Sequence, residues 1–151
     1  MKRQASGRPN YVTAAGLAAL RRRLEELAAL RAALQARQKP EEARSLELRQ
    51  AEADIAYYEE RVKTARLVDN RGLAAGEVRF GARVTVRGAD GAEKTYSIVG
   101  EDEADAASGK LNWASPLAAA LMGKRTGDRA VLVLGRTEQV LEVAAVEYPA
   151  G

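Results

Sequence analysis

The chain has 151 residues and a mass of 16.2 kDa, with 46% hydrophobic and 30% charged residues. That composition fits one ordinary domain or two small ones, and excludes both a disordered tail and a membrane protein. Cysteine and histidine are both absent, which excludes disulfides, zinc sites of the usual ligand types, thiol nucleophiles and every imidazole acid–base device. Aromatic residues are only 5%, too few to build stacking platforms for single-stranded nucleic acid. The net charge of +3 is uneven: residues 1–66 carry 14 basic against 9 acidic side chains, and residues 67–151 carry 10 against 12. A basic first half beside a slightly acidic second half points to two modules with different partners.

Residues 1–12 read as a loose basic tail. They have no hydrophobic core of the secretory type, and no apolar run in the chain reaches membrane-spanning length, so a cytoplasmic location is expected. Thr13 is an N-cap for a long helix. From there Leu17, Leu20, Leu24, Leu27 and Leu34 form a heptad-like stripe with one seat taken by Arg31. Lys39-Pro40 ends this helix and opens another, because a residue before proline is pushed out of the helical region while proline suits a first turn. A second stripe follows at Leu48, Ala51, Ile55, Tyr58, Val62 and Ala65. Two apolar stripes joined by so tight a turn predict an antiparallel coiled-coil hairpin over 13–66, with its tip at about 38–47 and arms of roughly 38 Å. Glu41, Arg44 and Arg31 fall on seam positions, so the apolar zipper is expected to thin toward a polar tip.

Residues 67–76 read as a linker, and a swivel there would alter the hairpin's reach. Beyond it the hydrophobic period falls to two: Val78, Phe80, Ala82, Val84 and Val86 alternate with polar residues, predicting a half-buried strand. Asp90-Gly91 predicts a hairpin turn, Lys94–Val99 a returning strand, Pro116–Met122 a short helix stopped by Gly123, and Arg129–Leu134 and Gln139–Tyr148 two more strands. The fold class is α+β: a helical hairpin, then a small antiparallel β domain over 77–151 with one short helix.

No phosphate loop, nucleophile elbow or dinucleotide fingerprint is present. Glu101-Asp102-Glu103 with Asp105 is dense enough to attract a cation but lacks the spacing of a calcium loop, and reads as a solvated loop. Glu59-Glu60 reads as surface charge. Glu41, Glu42 and Glu47 read first as helix-capping charge, although a narrow probe could carry such carboxylates into another molecule's cavity. Arg21, Arg22 and Arg23 cannot share one helix face. Arg31, Arg37, Arg44 and Arg49 form either a solvated face or a guide for a phosphate backbone. Nothing supports sequence-specific DNA binding.

An ordered series of landmarks resembles the bacterial transcript-cleavage factors, the GreA/GreB family. Val78-Arg-Phe-Gly-Ala-Arg-Val84 looks like the family's entry strand. Ile98-Val-Gly100, Asp102-Glu-Ala-Asp105, Ser115-Pro116, Ala120-Leu121, Gly123-Lys124, Gly127-Asp128 and Val146-Glu-Tyr148 follow in the family's order. Thr13, Gly16, Leu20 and Leu24 agree with its opening helix, and Arg66-Leu-Val-Asp69 with the exit from its hairpin. Asn112-Trp113 leans toward the GreB side.

The resemblance implies an FKBP-like C-terminal domain that docks RNA polymerase at the rim of its secondary channel through Ser115 and Pro116, with the hairpin reaching toward the active centre and the nascent RNA 3′ end. Tip carboxylates would there help to hold a Mg²⁺ shared with the polymerase, so the chain needs no catalytic residue, metal or cofactor of its own and acts as a monomer. Two departures matter. The family's acidic tip motif is absent, the stretch reading Gln38-Lys-Pro-Glu-Glu-Ala-Arg-Ser-Leu-Glu47, and the hairpin is about one heptad per arm shorter, roughly 10 Å of reach. Metal positioning tolerates errors of about 1 Å. Ala114 also stands where an acidic residue often precedes the docking pair. The expectation is therefore a factor that binds polymerase and modulates elongation of paused or backtracked complexes. Three alternatives stay open: a full cleavage factor working through Glu41, Glu42 or Glu47; a prolyl isomerase of the shared fold; and a hairpin that serves as a dimerisation arm.

Overall fold

The computed structural model describes residues 5–37, 41–74 and 76–149, with residues 41–45 described in backbone only. Thr13 takes extended backbone, and its Oγ1 accepts a hydrogen bond from the Gly16 N–H at 2.9 Å, opening helix α1 over Ala14–Ala36. Helix α2 runs Glu41–Thr64. Arg37 lies within ion-pair distance of Glu47, whereas Asn10 meets Arg61 and Thr64. As one residue number rises its partner's falls, so the helices are antiparallel. Leu20, Leu27, Leu34, Ala51 and Ile55 are buried along the seam. Each large aliphatic side chain there contributes about 1.5–3 kcal/mol of hydrophobic stabilisation. The zipper is not evenly thinned toward the turn: Leu34, in the last turn of α1, is 1% exposed, although Leu46 near the start of α2 is largely exposed.

At the base, two short strands clip the chain shut. β1 (Tyr11–Val12) pairs in parallel with β2 (Arg66–Leu67), and the Arg66 N–H donates to the Asn10 carbonyl at 2.8 Å. Tyr11 and Val12, placed in the tail by sequence, are thus part of the fold, and Val12 is buried. The connector beyond β2 is tied down: Asn70 Nδ2 donates to the Phe80 carbonyl and the Gly72 N–H to the Tyr148 carbonyl, both at 2.8 Å.

The second module is a five-stranded sheet built from β3 (Arg83–Arg87), β4 (Glu93–Val99), β5 (Lys110–Asn112), β6 (Arg129–Leu134) and β7 (Thr137–Glu147). Its order is β5-β4-β3-β7-β6, antiparallel throughout except for the parallel β4–β5 pair. Helix α3 (Pro116–Leu121) covers one face, and the core includes Val84, Ile98, Ala118, Leu121 and Val143. The architecture is α+β. Alternation over 78–86 holds in burial, but the regular ladder starts only at Arg83, because the chain turns at Phe80-Gly81 with Gly81 at φ 88°. Among the described residues, no helix is long and apolar enough to cross a membrane.

Candidate functional site

The hairpin meets the sheet at the loop that follows β4, and the residues there form one connected polar network. Arg61, in the last turn of α2, is only 3% exposed. Its Nε donates to Asp102 Oδ2 at 2.6 Å, and its second guanidinium nitrogen donates to Glu101 Oε1 and Asn10 Oδ1, each at 2.8 Å. Asn10 returns the contact through Nδ2, which donates to the Arg61 carbonyl at 2.8 Å. The Tyr57 hydroxyl donates to Asp102 Oδ1 at 2.5 Å. Burial first, then the hydrogen bond to Asp102, pushes the Tyr57 phenol far above its usual range. Burial works against the Arg61 guanidinium's charge, and the Asp102 hydrogen bond overrides it, so Arg61 stays cationic with its affinity for the proton raised.

The same acidic loop reaches the other helix. Glu103 Oε1 accepts from the Thr13 hydroxyl at 2.6 Å, beside the N-terminus of α1, where negative charge is favoured. Ser6 donates to Glu101 at 3.0 Å. The approach demands glycine at position 100, where a Cβ would overlap the Tyr11 carbonyl oxygen, whereas a Cβ on Gly16 would lie 2.7 Å from Glu103 Oε1, the end of a side chain free to shift. Tyr11 completes the joint, its ring 5.0 Å edge-on from Trp113 and 6.1 Å from Phe80. No buried side-chain polar atom among the described residues lacks a partner, so the network is fully satisfied.

This overturns one expectation. Glu101–Asp105 is not a solvated loop: Glu101 and Asp102 are mostly buried ion-pair partners of Arg61, and only Asp105 stands outside, accepting from the Ser108 hydroxyl at 2.7 Å. The joint's other key residues, Arg61, Asn10 and Tyr57, were missed in the sequence. A charged residue immediately before Val62 on an apolar stripe, with an unpaired acidic run 40 residues later, was the only signal.

The expected site residues lie elsewhere. Ser115 caps α3, its Oγ accepting from the Ala118 N–H at 3.2 Å, and Pro116 occupies the first helical position, exposed. Both follow Trp113, so the expected docking corner adjoins the joint. At the far end Glu47 is half-exposed and 3.8 Å from the Arg37 guanidinium. Arg31 is partly buried on α1, while Arg37 and Arg49 are exposed. The side chains of Glu41, Glu42 and Arg44 lie outside the described residues. Glu59 and Glu60 are exposed, as are Arg21, Arg22 and Arg23.

Residues 73–148, just over half of the chain, match the family model described as transcription elongation factor, GreA/GreB, C-terminal. The chain is 43% identical over 99 residues to transcription elongation factor GreA of Ralstonia nicotianae, the match covering 64% of this chain and 63% of that protein. It is 38% identical over 102 residues to transcription elongation factor GreB of Neisseria meningitidis, covering 67% and 63% respectively. The match thus spans less than two thirds of either relative's length. Among solved structures, the crystal structure of GreA factor homolog 1 of Thermus thermophilus aligns at 24% identity and a TM-score of 0.43, over 93% of this chain and 99% of that one.

Proposed function

The chain belongs to the GreA/GreB family of transcription elongation factors, and from that premise we propose that it binds RNA polymerase at the secondary channel and modulates elongation of paused or backtracked complexes. In this reading the β domain docks on the channel rim through the corner at Ser115 and Pro116, and the hairpin extends inward, its 23-residue first helix spanning roughly 35 Å. The observation that carries the reading is the joint around Arg61. A probe aimed by a domain several nanometres from its tip works only if the two move together, and a buried arginine hydrogen-bonded to Asp102, Glu101 and Asn10 supports that.

The factor performs no reaction of its own and carries no cofactor; the catalytic Mg²⁺ belongs to the polymerase. The family's acidic tip motif is absent, so the action is occupancy of the channel near the RNA 3′ end rather than stimulation of transcript cleavage. Arg31, Arg37, Arg44 and Arg49 supply positive charge along the probe, and polymerase affinity accordingly weakens as salt rises.

Two measurements on core polymerase test this. Binding should be competed by an authentic cleavage factor of the family, and absence of competition would overturn the shared docking site. Stalled, backtracked complexes should release no short 3′ RNA fragments when this protein is added. Release that disappears when Glu41, Glu42 and Glu47 are changed to alanine would contradict the non-cleaving mode and restore the cleavage-factor reading.

A further inference from the structure

The outer face of the sheet changes character from one edge to the other. Over β3 and β4 it is laced with paired polar groups: Arg87 with Glu93 at 2.7 Å, Arg83 with Glu147 at 3.1 Å, and Thr85 with Thr95 at 3.0 Å. At the β6 edge it becomes bare and apolar. Val131 is 48% and Val133 60% exposed, and Val140, opposite Val131 on β7, is 44% exposed. The inward residues of the same strand, Ala130 and Leu132, are buried. A strand that is apolar on both faces and lies at a sheet edge is the form that natural proteins cover.

The backbone of this edge is open as well. β6 and β7 are joined by the two-residue loop Gly135-Arg136, with Gly135 at φ 61°. In such a hairpin the flanking pair, Leu134 and Thr137, exchanges its backbone hydrogen bonds, and by alternation so do 132 and 130 with their β7 partners. The Val143 N–H donating to the Asp128 carbonyl at 2.8 Å continues the same alternation. The N–H and C=O groups of Arg129, Val131 and Val133 therefore point to the free edge.

We infer that β6 is a self-association surface, pairing antiparallel with β6 of a second copy so that the two sheets become one ten-stranded sheet. The occupant is identified by self-complementarity. A two-fold axis at Val131 sets Val131 opposite its own copy and Arg129 opposite Val133 of the partner, using only the outward backbone groups and keeping every outer residue on the outer face. Val133 is paired on β7 with Glu138. Each Arg129 then lies two strand spacings, about 10 Å between Cα atoms, from the other copy's Glu138, within reach of the two side chains. Arg129 and Glu138 form no ion pair with any described residue in the single chain. One unpaired cation and one unpaired anion on either side of a valine patch is what a symmetric interface needs, whereas an unrelated partner would have no cause to match both. The hairpin joint follows β4, beside the opposite edge of the sheet, so pairing leaves it uncovered. This inference does not rest on the polymerase reading and departs from the expectation of a monomer.

Sedimentation equilibrium of the full chain tests it. Mass should rise from 16.2 kDa toward twice that value as concentration increases, with a Kd on the order of micromolar. Val133→Glu should weaken association at least tenfold without altering the far-ultraviolet circular dichroism or the melting temperature measured at a dilution where both proteins are monomeric, since Val133 faces solvent in the single chain. Arg129→Glu should weaken it, and the double variant Arg129→Glu/Glu138→Arg should restore it. A chain that stays monomeric at hundreds of micromolar overturns the proposal. So does a doubled mass unaffected by Val133→Glu, or a charge reversal that is not rescued. A monomer in which Val133→Glu instead weakens polymerase capture would also overturn it, and would assign the patch to the polymerase.

Discussion

Replacing Arg61 with methionine removes the cation at the centre of the joint while keeping the length of its aliphatic stem. Arg61 makes three short charge-assisted or polar bonds, to Asp102, Glu101 and Asn10, and is almost fully buried. Its partners cannot relax into water without opening the joint, because Asp102 and Glu101 are themselves only 13% and 22% exposed. Removing one member of a buried ion pair in this way costs about 3–5 kcal/mol. Against a total stability of about 5–15 kcal/mol the variant should still fold, with a melting temperature lower by about 6–20 °C. Loss of stability alone would not show that Arg61 aims the hairpin. The chain contains no cysteine, so single cysteines introduced at the exposed positions Ala32 on α1 and Ala119 on α3 can carry spin labels uniquely. Pulsed electron-resonance distances between them should form one narrow distribution in the parent and a broad one in Arg61→Met, with partial narrowing in Arg61→Lys. A distribution that stays narrow in Arg61→Met, at a temperature where the variant is folded, would refute the joint as the aiming element.

Gly100→Ala should destabilise by about 1–3 kcal/mol and shift the emission of Trp113, the only tryptophan, because the new methyl group displaces the Tyr11 backbone and Tyr11 packs on that indole. Tyr57 contributes a pH dependence whose sign is fixed by its raised phenol: its stabilisation is complete below the unfolded value of 10.0 and is lost as pH rises above it, while the unfolded chain ionises first. Urea midpoints should be flat from neutral pH to about 10 and fall beyond, and Tyr57→Phe should make that alkaline fall shallower. Ser115→Ala should cost about 1 kcal/mol through the lost cap of α3 and weaken polymerase binding, read by thermal melts and by competition binding in parallel.

Much of the architecture was legible because it rests on periodicity. The leucine spacing located α1 and its Thr13 cap, and the period-two alternation located the buried residues from Val78 to Val86. Elements held by tertiary contacts rather than pattern were not legible. β1 and β2 are two residues each, and β5 is three, too short for any period to register. Arg61 illustrates the harder case. Its local sequence says only that a basic residue ends a helix, and the acids that bury it stand 40 and 41 positions later, on the loop after β4, which reaches the hairpin base through Gly100 against Tyr11 and Glu103 on Thr13. For the same reason the acidic run read as solvated: local sequence does not show where a buried cation will arrive. The start of α3 was legible as structure, since Ser115-Pro116 is a helix-start signal in its own right, independent of any resemblance and of the docking role proposed for it.

In the proposed mode of action a stiff hairpin, aimed by a docked domain, works inside the polymerase. A photocrosslinker at Leu46, an exposed position near the hairpin tip, tests it most directly. In complexes with core polymerase, crosslinks should map to the interior of the secondary channel beside the active centre, and should disappear when an authentic cleavage factor is in excess. Crosslinks confined to the polymerase's outer surface, or unaffected by that competitor, would contradict the account.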